Sequence, residues 1–338
     1  MSASINGTRT VREGPVLRWG IAATGGIART VGHVIAAEPD MMVTAVGSRS
    51  LDRARALAAE LGARQAYGSY AELVRDPDID VVYVATPQSH HLEVAELAIA
   101  AGKAVLCEKP LAATLADAEK MVALAREAGV FLMEAMWMRF NPLIRRLQRM
   151  VEAGEFGRVR SVTASFGFPV PERDHRLWNP ELGGGALLDL GIYPLGLAQL
   201  LLGLPEVMTV TGAMENGVDA EAGILLSYRD GARALLDTSL TSPLAGTAQV
   251  TGTRMRAELD APFFATDRMV VTGPDGERRE FLLDPGETGY VGEIREVRDR
   301  LAEGATESPI MPLDDSLAMM RLLEDARSRV VDPTGAAA

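Results

Sequence analysis

A glycine-rich turn near the amino terminus carries the first residues that could do chemistry. The segment 20–28 reads GIAATGGIA and directly follows an apolar run that favours a β-strand. It can be compared with the G-x-G-x-x-G/A pattern, with Ala23, Gly25 and Ala28 at the three key positions and alanine in place of the first glycine. A glycine at position 25 lets a phosphate approach the backbone N–H groups at the start of the next helix. The residues expected to line this phosphate site are Ala23, Thr24, Gly25, Gly26 and Ile27. An ordinary strand-to-helix turn is the alternative interpretation.

The triplet Ser48-Arg49-Ser50 follows about twenty residues later, where a dinucleotide site has its discriminating residue. A carboxylate at this point would bond the ribose 2′-hydroxyl of NAD and repel a phosphate. The triplet contains no acid, whereas a guanidinium and two hydroxyls suit the 2′-phosphate of NADP. The triplet therefore predicts NADP as the cofactor; a solvated turn would also satisfy these three residues.

Further strings in the chain resemble a known family when they are taken together. They are Ala85-Thr86-Pro87 followed by His91, then Glu108-Lys109-Pro110, and then the segment 183–193, which reads GGGALLDLGIY. In this order they resemble the Gfo/Idh/MocA oxidoreductases. The segments 133–142 (MEAMWMRFNP) and 307–327 (ESPIMPLDDSLAMMRLLEDAR) are similar to the branch that holds dihydrodiol dehydrogenases and related sugar dehydrogenases. The resemblance extends from about residue 16 to residue 330.

This resemblance implies a catalytic role for Lys109, Tyr193 and Asp189. Lys109 would project from the cofactor domain toward the nicotinamide and the substrate, and the Lys109-Pro110 turn would contain a cis peptide bond. Asp189 and Tyr193 lie four residues apart in a stretch with helical character, so both side chains fall on one face. Tyr193 would exchange a proton with the reacting hydroxyl, and the Lys109 ammonium would favour its phenolate, because an ordinary tyrosine pKa near 10 is too high for an efficient base. Asp189 would hold the substrate hydroxyl or the lysine.

Purely structural roles for these residues remain open at this point. Without the family, Lys109 is as well explained as a surface lysine at a strand end, and Asp189 with Tyr193 as an ordinary hydrogen-bonded pair. The three glycines before them favour a site, because they allow close approach of the backbone to a ligand. Gly292 stands where relatives often have histidine, which puts the C-terminal contact to the active site in doubt.

The remaining site predictions concern cofactor and substrate contacts. Outside the first turn, the expected cofactor contacts are Ser48, Arg49, Ser50, Thr86, Pro87, His91, Glu108 and Lys109. The residues expected to line the substrate pocket are Trp137, Arg139, His175, Arg176, Asp189 and Tyr193. Trp137 would offer an apolar face to a sugar or a ring diol. Alternatively, Trp137 is a core residue and Arg139 belongs to a structural ion pair.

The elements that must position these residues follow two different patterns. In the first, apolar runs at 16–23, 41–48, 81–86, 104–109 and 130–136 alternate with helical periods that end at Ala37 or cover 52–61, 91–101 and 115–128. Runs that are apolar on both faces and alternate with helices predict a parallel sheet covered on both sides, here a Rossmann domain over residues 16–140.

After about residue 141, alternation with a period of two predominates. The predicted strands are 206–214, 221–229, 232–240, 246–252, 255–260, 268–272 and 278–283, and the predicted helices are 142–153, about 186–201 and 313–330. The Asp-Gly pair in the turn Tyr228–Gly231 favours a tight hairpin. The fold class is therefore α/β plus α+β, with an open, largely antiparallel sheet in a substrate-binding and dimerisation domain over residues 141–338. Residues 1–15 are predicted to form a flexible tail.

Composition limits the partners of this chain. A formal charge of −12 argues against a general affinity for nucleic acid or anionic membranes. We find no apolar run approaching the ~20 residues that span a bilayer. The first fifteen residues lack the apolar core of a signal peptide and Cys107 is the single cysteine, which together predict a cytoplasmic location. The four histidines are not spaced with cysteines or carboxylates as in a metal site, so no metal is expected.

These observations predict an enzyme that transfers a hydride reversibly between C4 of NADP and a secondary alcohol or hemiacetal carbon. Its substrate would be a sugar, a polyol or a cyclic trans-diol, and the resemblance implies a homodimer that pairs through the exposed face of the second sheet. One alternative is a dehydrogenase of nucleotide sugars, inositols or aldoses. The other is a non-catalytic regulator that binds NADP, but a regulator need not keep Lys109, Asp189 and Tyr193, all of which are present.

Overall fold

The computed structural model describes residues 16–330, so the predicted tail at 1–15 lies outside the described residues. The first sheet has six strands in the order β3-β2-β1-β4-β5-β6, all parallel. Its strands are β1 (Leu17–Ala22), β2 (Met41–Gly47), β3 (Gln65–Tyr67), β4 (Val81–Val84), β5 (Ala104–Glu108) and β6 (Leu132–Ala135). The strand order reverses direction between β1 and β4, which is where ligands bind in open α/β sheets.

Helices cover this sheet, as the alternating pattern predicts. They are α1 (Gly26–Ala37), α2 (Leu51–Leu61), α3 (Tyr70–Val74), α4 (His91–Ala100) and α5 (Leu115–Ala128). Every residue of β4, β5 and β6 is buried, because helices exclude water from both faces. The short elements β3 and α3 were not predicted, since three and five residues are too few to show a period.

The second sheet has eight strands in the order β14-β13-β12-β11-β7-β10-β9-β8. They are β7 (Val159–Gly167), β8 (Val207–Glu215), β9 (Val218–Ser227), β10 (Arg233–Ser239), β11 (Ala248–Gly252), β12 (Arg256–Leu259), β13 (Arg268–Thr272) and β14 (Arg278–Leu282). Only the β7–β10 pair is parallel, so the prediction of a largely antiparallel sheet is confirmed. Strand β7, in the middle of the sheet, was missed because its burial does not alternate strictly.

Four longer helices accompany the second sheet in the described chain. They are α6 (Pro142–Glu152), α7 (Ile192–Leu202), α8 (Gly289–Ala302) and α9 (Leu313–Arg329), and a π-helical turn, Leu187–Gly191, leads into α7. Helix α8 was not predicted. It packs against α1 and against the 3₁₀ turn Trp137–Phe140, while α9 packs against α5. The last two helices therefore return to the first domain and join it to the second.

One face of the second sheet is covered and the other is open. Helix α7 packs against β7 and β10 on the covered face. On the open face, Leu225 and Leu235 pair directly across β9 and β10, with 42% and 46% of their surface exposed. The open face therefore combines this apolar pair with polar residues such as Thr209, Thr211 and Asp237.

No apolar segment long enough to span a bilayer was expected from the sequence, but Pro180–Leu202 is one. With a mean hydropathy of 1.5, it is long and apolar enough to cross a bilayer by length and composition, so the statement that no run approaches this length was wrong. However, 83% of its most apolar window is buried inside the protein. The segment is apolar because α7 and its approach form a core element.

Candidate active site

The glycine-rich turn between β1 and α1 has the geometry of a phosphate site. Gly25 precedes the helix, and no side chain caps the N–H groups of its first turn. A Cβ on Gly25 or Gly26 would meet nothing within 4 Å, so this end of the helix is open. Ala23 takes a φ of 129°, in the region that favours glycine. The backbone of the glycine pattern is thus present although the first glycine is not, and the turn fits a dinucleotide pyrophosphate.

The triplet after β2 leaves one guanidinium available. Ser48 is buried and its Oγ accepts from the Ser50 N–H (3.2 Å), while Ser50 caps α2 by accepting from Arg53 N–H (3.5 Å). Arg49 is exposed and, among residues 16–330, forms no ion pair. Its charge can therefore serve an anionic ligand, whereas the two hydroxyls also maintain the turn.

Arg53 and Tyr70 are candidate residues that the sequence analysis missed. Burial raises the pKa of the Tyr70 phenol, and the charges of Arg49 and Arg53 both oppose this shift. Arg53 follows Arg49 by four residues, a spacing that could have indicated it. Nothing in the local pattern indicated Tyr70.

His91 and Glu108 were expected to contact the cofactor, and the structure corrects both. His91 is 1% exposed, with Nε2 2.9 Å from the Thr86 carbonyl oxygen and Nδ1 3.1 Å from that of Pro110. Glu108 is buried and accepts from the Tyr83 hydroxyl at 2.5 Å. The hydrogen-bonding atoms of both side chains are occupied by protein groups. Both residues therefore stabilise the structure around the site and do not contact the cofactor. The Lys109–Pro110 bond, which His91 braces, is cis, as the resemblance implied.

The buried His91 should make folding stability fall in mild acid. Burial lowers its pKa to about 4, outweighing the carbonyls that favour the imidazolium. Because the unfolded histidine binds a proton near pH 6.5 and the folded one does not, its contribution is complete above ~6.5 and is lost as the pH falls toward ~4. We expect the free energy of unfolding to drop by about 3 kcal/mol over that window from this residue. Denaturant unfolding across the window should show a flatter profile for His91→Asn than for the parent. Parallel profiles for the two proteins would contradict the assignment.

Lys109, Asp189 and Tyr193 come together, as predicted, from β5, the π-helical turn and α7. Lys109 Nζ donates to the Asp189 carbonyl oxygen at 2.9 Å and lies 3.9 Å from Asp189 Oδ1. The same Nζ lies 4.8 Å from the centroid of the Tyr193 ring. Arg176 Nη2 donates to Asp189 Oδ1 at 2.9 Å. Although burial opposes its ionisation, Lys109 and Arg176 together hold the pKa of Asp189 below its ordinary value.

The phenol of Tyr193 is held in its protonated form. Burial raises the pKa of Tyr193 well above 10, and the charges of Glu108 and Asp189 add to this shift. Trp137 Nε1 donates to the phenol oxygen at 3.0 Å, which opposes it. The expectation that Lys109 favours a phenolate was therefore wrong, because the ammonium lies over the ring and at a backbone carbonyl instead of at the oxygen.

An aromatic cluster encloses this phenol, and sequence reasoning missed most of it. The Tyr193 ring stacks on Phe264 with centroids 4.0 Å apart, and Trp137 stacks on Tyr290 at 4.2 Å. Phe166 packs edge-on against Tyr193 and Phe264. Each aromatic lies in a different element, so no spacing along the chain indicates the group. Trp137 is 8% exposed, stacks on Tyr290 and donates to the Tyr193 phenol, as the alternative interpretation of a core residue expects; its contact with a substrate stays a prediction.

The other substrate-pocket candidates differ in their surroundings: Arg139 is buried in an ion pair, whereas Arg176 and His175 are exposed. Arg139 is 2% exposed, and its guanidinium bonds Asp315 Oδ2 at 2.6 Å and Gln199 Oε1 at 3.1 Å. The structural ion pair, the alternative interpretation, is therefore the correct one for Arg139. Arg176 and His175 are exposed beside Asp189, where they remain candidates for substrate contact.

The three glycines before Asp189 approach the protein itself, which corrects the expectation that they approach a ligand. A Cβ on Gly183 would lie 2.6 Å from Gln88 Cγ, and one on Gly184 would lie 2.6 Å from the Leu177 carbonyl oxygen. A Cβ on Gly185 would collide with Asp219, whose Oδ2 accepts from the Leu187 N–H at 2.6 Å. The glycines thus allow the segment that carries Asp189 to sit tightly in the second domain, where it reaches Lys109.

Gly292 has a packing explanation. Helix α8 lies so close to the Trp137–Phe140 turn that a Cβ at Gly292 would come 2.7 Å from the Phe140 carbonyl oxygen. A histidine would not fit here without moving the helix. In this chain, α8 therefore contacts the site through its backbone and through Tyr290, and not through a histidine at position 292.

Comparisons with known proteins agree with this architecture. A family model described as an oxidoreductase family with an NAD-binding Rossmann fold matches residues 17–136, and one described as a Gfo/Idh/MocA C-terminal domain matches residues 144–258. The chain is 38% identical over 328 residues to trans-1,2-dihydrobenzene-1,2-diol dehydrogenase of Mus musculus and 36% identical over 330 residues to that of Homo sapiens. Both alignments cover 93% of this chain and 97% of the relative.

Two solved structures are similar over nearly the whole chain. One is KijD10, a 3-ketoreductase from Actinomadura kijaniata in complex with NADP and TDP-benzene, with a TM-score of 0.84, 29% identity and coverage of 94% of this chain and 99% of the other. The second is the aldose-aldose oxidoreductase from Caulobacter crescentus, with a TM-score of 0.85, 26% identity and coverage of 93% and 97%. The overall fold is shared with these two proteins. Together with the two family models and the dihydrodiol dehydrogenase relatives, this shows that the chain belongs to the Gfo/Idh/MocA family of oxidoreductases.

Proposed function

We propose that this protein is an NADP-dependent oxidoreductase acting on a secondary alcohol or hemiacetal carbon, or on the corresponding carbonyl. The observation that carries the proposal is the convergence of Lys109 with Asp189 and Tyr193 across the two domains. A cation, a carboxylate and a buried phenol within a few ångströms are the groups needed to orient a hydroxyl and to move its proton.

The cofactor would be held by groups that the structure leaves accessible. The open start of α1 at Gly25 and Gly26 would bind the pyrophosphate, and Arg49 with Arg53 would bind the 2′-phosphate. Bound NADP would supply the hydride donor or acceptor at C4 of its nicotinamide. The 3-ketoreductase KijD10, of the same fold, was crystallised with NADP, which supports this choice over NAD.

The protein's own residues would handle the proton. With its raised pKa, Tyr193 would give its proton to the oxygen of a carbonyl as that oxygen becomes an alcohol, and would take it back in the reverse reaction. Lys109 would stabilise the negative charge that develops on that oxygen, and ionised Asp189 would hold the ammonium in place. The Trp137 N–H would stabilise the phenol oxygen during the transfer.

The substrate is proposed to be a small sugar, polyol or cyclic trans-diol. The relatives named as dihydrodiol dehydrogenases act on a ring diol, and the Caulobacter protein is named for its action on aldoses. The aromatic cluster around Tyr193 supports a substrate with an apolar ring face. Following NADP reduction spectrophotometrically over a panel of aldoses, inositols, polyols and trans-dihydrodiols tests the proposal. Tight NADP binding without turnover on any of them would favour the non-catalytic regulator instead.

Cofactor preference is expected to depend on Arg49. Removing the guanidinium in Arg49→Gln should raise KM for NADP by about 10- to 100-fold, the loss of one or two hydrogen bonds to a charged group, with kcat little changed. KM for NAD should stay the same, because NAD has no 2′-phosphate. Arg55→Gln, an exposed arginine on α2 whose partner is Asp52, is the matched control and should behave like the parent. An equal rise in KM for both cofactors would show that Arg49 acts on the fold and not on the phosphate.

We also propose a homodimer that forms through the open face of the second sheet. Leu225 and Leu235 would be buried by a second copy, which would remove an exposed apolar pair from water. Light scattering should give twice the chain mass for the parent and for Leu204→Arg, an exposed control outside the sheet, but the monomer mass for Leu235→Arg. A monomeric parent would refute the proposal. The cytoplasmic location and the lack of affinity for nucleic acid and membranes remain predictions.

A further inference from the structure

A partly buried charged network links the elements that surround the catalytic phenol; its arginine is 2% exposed, and its aspartate reaches the surface. Arg139, in the Trp137–Phe140 turn, donates to Asp315 Oδ2 on α9 at 2.6 Å and to Gln199 Oε1 on α7 at 3.1 Å. Gln199 Nε2 in turn donates to the Asp315 carbonyl oxygen at 3.0 Å. We call these three residues the Arg139 network. It is closed on itself, since each member bonds both of the others.

The Arg139 network runs beside the hydrogen bond that polarises Tyr193. Trp137 precedes Arg139 by two residues in one 3₁₀ turn, and Tyr193 precedes Gln199 by six residues on α7. The Trp137–Tyr193 bond (3.0 Å) and the Arg139–Gln199 bond (3.1 Å) therefore connect the same two elements at two points. Two cross-links constrain both the separation and the rotation of the turn relative to the helix more tightly than one would.

The Arg139 network holds the Trp137 turn from the side that faces away from the cleft. Arg139 is 2% exposed, and its charge is compensated by Asp315, by Gln199 Oε1 and by the Ile310 carbonyl oxygen, which accepts from Nη1 at 3.3 Å. Asp315 comes from α9, a helix that also packs against α5 of the first domain. The indole of Trp137 is thus held relative to Tyr193 by a group that reaches neither the cleft nor the phenol.

We propose that Arg139 is a positioning residue for proton transfer, acting with Gln199 and Asp315 to set the hydrogen bond from Trp137 to the Tyr193 phenol. The inference rests on the proposed function for its kinetic consequence, but the hydrogen bond that it predicts can be observed without a substrate.

The decisive variant is Gln199→Met, which keeps the volume of the side chain and removes its acceptor. The chain has three tryptophans, so the indole N–H resonance of Trp137 can be assigned in a nitrogen-proton NMR spectrum by its loss in Trp137→Phe. In Gln199→Met we expect this resonance to move upfield as the bond to Tyr193 weakens. On a confirmed substrate, kcat should fall about 10- to 100-fold at unchanged KM for NADP, because a small displacement of a reacting group has effects of this size. The alkaline limb of the pH profile should move to higher pH.

Two further variants separate positioning from stability. Gln199→Glu keeps an acceptor for Arg139 but loses the donor to the Asp315 carbonyl oxygen, so it should restore most, but not all, of the resonance position and of kcat. Arg126→Met breaks an ion pair with Asp314, the neighbour of Asp315 on α9, without touching the turn, and should change neither. If Gln199→Met does not fold, Arg139→Lys provides the same test, since lysine keeps the charge but lacks the planar guanidinium that bonds Asp315 and Gln199 through two separate nitrogens.

The possible results are distinct. An unshifted Trp137 resonance in a folded Gln199→Met or Arg139→Lys protein would overturn the inference, even if the melting temperature fell. A shifted resonance together with no turnover by the parent on any substrate would support the positioning role and count against the proposed function.

Discussion

Replacing Lys109 by methionine should lower kcat by about 10²- to 10⁴-fold, the range observed for removing a group that assists proton transfer or stabilises developing charge. The ammonium bonds the carbonyl oxygen of Asp189 and lies over the Tyr193 ring, so it links the cofactor sheet to both catalytic candidates of the second domain. Methionine preserves the length and most of the volume of the side chain but carries no charge. Steady-state rates with NADP and a confirmed substrate measure the effect.

Binding and folding should be affected far less than turnover in this variant. The matched control is Lys120→Met, which removes an exposed lysine paired with Glu96 on the outer surface of the first domain and should leave kcat unchanged. Fluorescence titration with NADP should show that both variants bind the cofactor within a few-fold of the parent. If the Lys109→Met protein keeps more than a tenth of the parent's kcat, Lys109 is not a catalytic residue.

Replacing Tyr193 by phenylalanine is the second large expected effect, also about 10²- to 10⁴-fold in kcat. The ring would keep its stacking on Phe264, so the fold should be retained, while the hydroxyl that Trp137 bonds would be lost. Because burial raises the pKa of Tyr193 well above 10, carbonyl reduction by the parent should be insensitive to this group at neutral pH and decline only in strong alkali, when the phenol loses its proton. The variant should lack that alkaline decline.

Tyr290→Phe is the control for this experiment. Tyr290 stacks on Trp137 in the same cluster, and its pKa is also raised by burial, but Trp137 does not bond its hydroxyl. This variant should keep kcat within about two- to three-fold of the parent, the ordinary scatter for a neutral substitution. If both tyrosine variants lose activity equally, the cluster matters for packing and the proton donor must be sought elsewhere.

The first domain could be predicted in detail because its information is local. Strand and helix periods recur within windows of a few residues, and a buried parallel strand such as β4 or β5 is apolar throughout. Helix α5 was predicted with its observed bounds, since a threonine cap and a terminal glycine mark its ends. Strand β7 and helix α8 escaped prediction because their residues are selected by tertiary neighbours. The glycines at the start of α8, for example, are explained only by the turn against which they pack.

The order of the motifs along the chain was enough to determine the family, the two-domain plan and the three candidates Lys109, Asp189 and Tyr193. Only the tertiary structure decided which polar groups face the cleft and which are consumed by the protein. His91 bonds carbonyl oxygens as far as twenty residues away, Trp137 bonds a phenol 56 residues away, and Arg139 bonds a carboxylate 176 residues away. A local pattern reports the backbone that a residue adopts, because that depends on its near neighbours. The partners that bury a side chain, bond it or shift its pKa come from distant parts of the chain and meet it only when the protein folds. Those partners determine what the residue does.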